Sequence, residues 1–111
     1  MNPLIDYIEK EVDNLQKEEK ELVASDRKDE ANLVKIRINI YNICATIYQV
    51  VEKGKTDVAR VYLEKLDNLS QSWQESLAKA KEHQDVEKAV IEEMKLETLG
   101  KIRDRFLEWR V

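Results

Sequence analysis

The residue types in this chain that could do chemistry are mostly carboxylates. Glu18 and Glu21 stand three apart, and so do Glu64 and Asp67. On a helix that spacing projects both side chains from one face. Two such pairs converging on one cleft could hold Mg²⁺ through oxygen ligands. A third acidic run is Glu92, Glu93 and Glu97. With 23 acidic residues in the chain, such pairs also arise by chance. Lys17, Lys20 and Lys65 stand close to them. A charged, solvated outer face accounts for them more simply.

The other reactive types occur singly. A zinc site built from His and Cys needs three or four ligands, and the chain has one of each. A carboxylate-bridged di-iron bundle needs two Glu-x-x-His pairs. Ala80 stands three residues before His83, so even one pair is missing. His83 reads as a helix-end residue beside the helix dipole. Cys44 lies in the most apolar stretch, with no base supplied by its sequence neighbours, and reads as core filler. As a lone cysteine it cannot close an intrachain disulfide, which fits a reducing compartment. No Gly-rich phosphate loop and no Gly-x-Ser-x-Gly elbow occurs. No cofactor and no metal is expected from this inventory.

Aromatic residues offer contact rather than reaction. Ile102, Phe106 and Trp109 lie among the bases Lys101, Arg103, Arg105 and Arg110. Aromatics beside Arg can stack on bases or fill a partner's pocket. Helical spacing instead makes Trp109 the cap of a core, and Asp104 and Glu108 dilute the charge. Tyr41, Tyr48 and Tyr62 could line an apolar cavity between helices. More often a Tyr in an apolar stripe has its ring buried and its hydroxyl wet.

These residues need elements to position them, and the sequence points to helices throughout. The chain of 111 residues has two Gly and one Pro, and 38% of it is charged with both signs interspersed. Pro3 suits a first helical position with Asn2 as cap, and Leu4, Ile8, Val12, Leu15 and Leu22 follow on one face. Ser25 and Asp26 interrupt the pattern, and either could cap a second helix over about 27–53. In that helix Val34, Ile36, Ile38 and Ile40 alternate with polar residues, which is a strand signal. A helix covers the whole segment, with one stripe Leu33, Ile36, Ile40, Ile43, Ile47, Val50 and a second Val34, Ile38, Tyr41, Ala45, Tyr48. A lone strand would also have no partner for its backbone. The face is wide enough to be either the central helix or an oligomer contact.

Lys53-Gly54 predicts the end of the second helix, with Thr56 or Asp57 capping a third. Tyr62, Leu66, Leu69, Trp73, Leu77 and Ala80 form its stripe. His83-Gln84-Asp85 reads as the last turn with Asp85 as cap, although neither here nor at 25–26 does a Gly or Pro forbid a continuous helix. Val90, Met94, Leu96, Leu99, Ile102, Phe106 and Trp109 give the fourth helix its apolar face, with Gly100 marking a kink or a close helix contact. The expectation is an all-α fold: one domain over residues 1–111, an antiparallel helical bundle of about four helices.

Charge and hydropathy restrict the setting. The formal net charge of −4 lacks the field that draws in nucleic acid or anionic lipid. No apolar run is long enough to cross a bilayer. Met-Asn-Pro-Leu-Ile-Asp has neither a basic region nor a cleavage pattern, which predicts a cytoplasmic address.

Two resemblances bear on function. The letters of Glu18-x-x-Glu21 and Glu64-x-x-Asp67 are similar to the paired motifs of all-α nucleotide pyrophosphohydrolases. That implies a Mg²⁺-dependent nucleotide hydrolase as an alternative function, although the two motifs are too far apart for adjacent helices. The second rests on the segment from Asp26 to Ile36, on Tyr62-Leu63-Glu64-Lys65-Leu66, on Ala80-Lys81-Glu82-His83, and on Asp85-Val86-Glu87-Lys88 with Ile91-Glu92-Glu93. Together these resemble small uncharacterised all-α proteins of Gram-positive anaerobic bacteria. The resemblance implies a bacterial cytosolic protein and carries over no functional residue.

The reading favoured by the sequence is a non-catalytic interaction or structural module that associates with itself or with another protein. A symmetric homodimer is the commonest way to cover a wide apolar face. The expected contact residues are Ile38, Tyr41, Ala45 and Tyr48, with Trp109 as an anchor if it is exposed. The third reading is a carrier of a small apolar ligand between helices 2 and 3.

Overall fold

A computed structural model describes residues 2–110 as four helices: α1 (Pro3–Ala24), α2 (Lys28–Gly54), α3 (Val58–Glu82) and α4 (Val86–Arg110). α1 and α4 begin at side-chain caps. The Asn2 side-chain oxygen accepts from the backbone N–H of Leu4 at 3.0 Å and of Ile5 at 3.3 Å, satisfying two donors of the first turn. Asp85 does the same for Lys88 N–H at 3.1 Å, so α4 carries the cap expected of it.

The turn at 25–26 is real, but its chemistry differs from the expectation. Asp26 caps nothing. It adopts a left-handed conformation with φ 59°, while Arg27 N–H reaches back to the Leu22 carbonyl at 2.8 Å. The turn after α3 repeats this design: Gln84 has φ 57°, and Asp85 N–H bonds the Ala80 carbonyl at 2.8 Å. Both are helix-terminating motifs in which a polar residue stands where Gly is usual. Gly54 is likewise not the left-handed residue. It is the last helical position of α2, and Lys55 takes φ 56° instead. Asp57 precedes α3 but makes no cap; its carboxylate accepts from Arg60 at 3.0 Å. Gly100 marks no close approach, because a Cβ there would meet open space, and α4 runs through it unbroken.

Three-residue turns force consecutive helices to lie antiparallel. α1 packs on α2 and α3 on α4, and the two hairpins join where α2 meets α4. α2 therefore touches all three other helices, as does α4, whereas α1 and α3 lie on opposite flanks without meeting. The result is a flattened bundle of 44 × 35 × 20 Å.

The core runs along this α2–α4 seam. The buried line of α2 is Val34, Ile40, Tyr41, Cys44 and Val51, which falls between the two stripes expected of it. Val50, the last member of the first stripe, is 64% exposed. Leu4, Ile8 and Leu15 of α1, Tyr62 and Leu66 of α3, and Leu99, Ile102 and Phe106 of α4 complete the cluster. Among the described residues, no helix is long and apolar enough to cross a membrane.

Candidate functional site

The two ends of the bundle are built differently, and the difference decides where a site can be. At one end lie the start of α1, the close of α2, the start of α3 and the close of α4. All four helices send aromatic rings there. Tyr48, Tyr62 and Phe106 meet edge-on in a triangle, with centroids 5.2, 6.0 and 4.9 Å apart. Tyr7 meets Tyr41 at 6.1 Å and Trp109 at 5.6 Å, and the Arg105 guanidinium lies 5.2 Å from the Tyr7 ring. Edge-to-face contact places the positive rim of one ring on the negative face of the next.

Three of the four tyrosine hydroxyls in this cluster are paired. Tyr62 donates its hydroxyl to the Cys44 carbonyl at 3.0 Å, and the Tyr7 and Tyr41 hydroxyls lie 3.4 Å apart. Burial pushes the Tyr41 and Tyr62 phenols well above the usual tyrosine range, and the Tyr7 hydroxyl adds to the shift of Tyr41. Burial also pushes the Cys44 thiol up to about 12. A thiol so placed stays protonated and is no nucleophile. The rings of Tyr48 and Tyr62 meet where α2 faces α3, the space expected for an apolar ligand. A smaller groove of about 400 Å³, lined by Leu4, Tyr48, Phe106 and Trp109 among others, opens at this end.

The opposite half of α4 is different. Its inward line contains polar residues: Glu92 and Thr98 are buried, and Lys95 is half-buried. Thr98 returns its hydroxyl to the Met94 carbonyl at 2.9 Å. Lys95 reaches one Glu92 oxygen at 3.1 Å and sits 4.8 Å from the Trp73 ring centroid on α3. The other Glu92 oxygen is inaccessible and has no hydrogen-bond partner among the described residues. Sequence reading missed this pair because it followed apolar residues only. Glu92, Lys95, Leu99, Ile102, Phe106 and Trp109 step by three and four, so the periodicity continued into polar residues.

With polar groups turned inward, apolar ones are left outside. Val86 is 73% exposed and Val90 42%. Val90 and Ile91 join Leu33 and Ile36 of α2 in a groove of about 430 Å³ between the parallel N-terminal halves of α2 and α4. None of these four residues belongs to the buried core or packs against it. Asp29 and Glu87, in the first turns of α2 and α4, stand at this groove, and no Lys or Arg lines it.

Tyr41 is a core residue at 4% exposure, and Ile38, Ala45 and Tyr48 pack half-buried against the same core. The width of the α2 face is taken up largely by the three neighbouring helices of the same chain. Trp109 is 36% exposed and rests edge-on against Tyr7.

The acidic pairs do not converge. Glu18 and Glu21 lie on α1, in a surface groove shared with Arg27, Glu30 and Arg37. Glu64 and Asp67 lie on α3, which α1 does not touch. Glu64 pairs with Arg60 at 2.7 Å, and Asp67 with Arg103 at 3.2 Å. The third acidic run divides as well: Glu93 lies 3.8 Å from Lys81 and Glu97 3.5 Å from Lys101. Among the described residues, no group of three or more His, Cys, Asp or Glu is placed to hold a metal ion. The alternative of a shared Mg²⁺ cleft lacks its geometry, because the bundle puts the two pairs on α1 and α3, which do not touch. His83 is exposed at the end of α3. Compared with known proteins, the chain matches no family model, no curated protein and no solved structure.

Proposed function

We propose that this protein is a non-catalytic helical docking module, and that it binds a protein partner through the groove between the N-terminal halves of α2 and α4. One observation carries this reading. Leu33, Ile36, Val90 and Ile91 form an apolar groove that takes no part in the core, next to the largely exposed Val86. Apolar residues scattered singly on a surface need no explanation; these four come together from two helices. A cytoplasmic, reducing setting accompanies this reading, since the lone Cys44 is a buried free thiol. Self-association stays within it, relocated from Ile38, Tyr41, Ala45 and Tyr48 to the groove.

The test is site-specific photo-crosslinking in the native cells. A photoreactive residue at Val90 is expected to give discrete adducts. The same residue at Val50, exposed elsewhere on α2, is expected to give none. Equal labelling, or none, at both positions would sink the docking reading.

A further inference from the structure

The groove has a charge pattern as well as an apolar floor, and the pattern selects among occupants. Its only charged lining residues are Asp29 and Glu87, one on each side. Neither has an ion-pair partner among the described residues, although the chain forms ion pairs freely elsewhere. Each stands in the first turn of its helix and faces about half a positive unit from the helix end. A full carboxylate charge exceeds that half unit, so each side of the groove keeps negative character.

Resting on the docking reading above, we propose that the groove takes a basic amphipathic helix: apolar anchors on Leu33, Ile36, Val90 and Ile91, with Lys or Arg on both flanks facing Asp29 and Glu87. The apolar floor covers Leu33 to Ile36 of α2 beside Val90 and Ile91 of α4, which at 1.5 Å per residue is about one helical turn. An entering helix therefore offers anchors at i and at i+3 or i+4. A second copy of this chain fits less well. In a two-fold contact the same patch meets itself, bringing Asp29 and Glu87 against like charges in a chain of net charge −4.

Two synthetic helical peptides decide the matter. Both carry Leu at the anchor positions; one has Lys on the flanks and the other Glu. Fluorescence anisotropy against the full chain at low salt is expected to favour the Lys peptide by about tenfold, the range for two partly exposed pairs and their like-charge counterparts. The preference is expected to shrink as salt rises. It is expected to fall below about threefold in the Asp29→Asn, Glu87→Gln double variant. Val90→Asp is expected to abolish binding of the Lys peptide, with circular dichroism confirming that the bundle is intact.

Equal binding of both peptides, or preference for the Glu peptide, overturns the basic partner while leaving the docking reading in place. Binding of neither peptide overturns the inference, and the crosslinking at Val90 then judges the docking reading separately. A dimer in light scattering that Val90→Asp dissociates also overturns it, by making a second copy the occupant.

Discussion

The aromatic end and the groove end of this bundle use the same two central helices for opposite purposes. At the aromatic end, α2 and α4 turn Tyr41, Tyr48 and Phe106 toward Tyr62 and Tyr7, and the buried hydroxyls of Tyr41 and Tyr62 each have a partner. At the other end α4 turns Glu92, Lys95 and Thr98 inward, leaves one carboxylate oxygen without a partner among the described residues, and shows Val86 and Val90 to solvent. Each aromatic pair adds about 0.5–1.5 kcal/mol beyond simple burial. A buried ion pair often contributes less than apolar residues of the same size. Stabilising contacts are thus concentrated at the aromatic end, while the other end carries a half-satisfied ion pair and an open groove.

The largest effect that would break this comparison lies in the aromatic triangle. Tyr62 is fully buried, touches two rings and donates to Cys44. Tyr62→Ala is expected to destabilise the fold by about 3–5 kcal/mol, read from chemical denaturation. A loss under about 1 kcal/mol would mean that this end does not anchor the bundle.

Next comes the polar half, with the opposite sign. Replacing the pair together, Glu92→Leu with Lys95→Met, removes a half-satisfied buried charge. The double variant is expected to gain about 1–4 kcal/mol in the same measurement. If it loses stability, Glu92 and Lys95 hold α3 and α4 together, and the contrast between the two ends disappears.

The smallest effect per step is a response to alkali. Cys44, Tyr41 and Tyr62 all hold their protons more tightly in the fold than in the unfolded chain. As pH rises past about 9 the unfolded chain loses protons first, so it binds fewer than the native state and stability falls. The contribution of Cys44 is complete below about pH 9 and is lost progressively toward about 12. Each group costs about 1.4 kcal/mol per pH unit while only its unfolded form ionises. Thermal unfolding followed from pH 7 to 11 is expected to show this decline. In Cys44→Ala the decline should begin about one unit later, where tyrosine ionises. An unchanged onset would show that the thiol is not held as tightly as its burial requires.

Much of the fold was legible in the sequence because helices are specified locally. Asn2-Pro3 named the start of α1, and Asp85 the cap of α4. The strand-like alternation at 34–40 was overruled by the period of three and four that continued beyond it. What misled was the assumption that inward means apolar. It placed Val90 inside and Glu92 outside, and the fold reverses them because the line through Leu99, Ile102 and Phe106 fixes which face of α4 turns in. Gly54 misled as well: Lys55 took the left-handed position that Gly54 was expected to supply, and Asp57 beside it and Asp26 and Gln84 at the other two turns are left-handed too.

Spacing and caps act within a few residues of one another, so local sequence already fixed the all-α class and the helical stripes, while the breaks at 25–26 and 83–85 became turns only in the fold. Only the tertiary structure decided that α2 and α4 share the centre and that α1 and α3 never meet. That arrangement keeps Glu18 and Glu21 away from Glu64 and Asp67, encloses Tyr41, and leaves Leu33, Ile36, Val90 and Ile91 as a groove. The physical reason is that periodicity fixes which residues share a face. Which neighbour covers that face depends on the packing of all four helices at once.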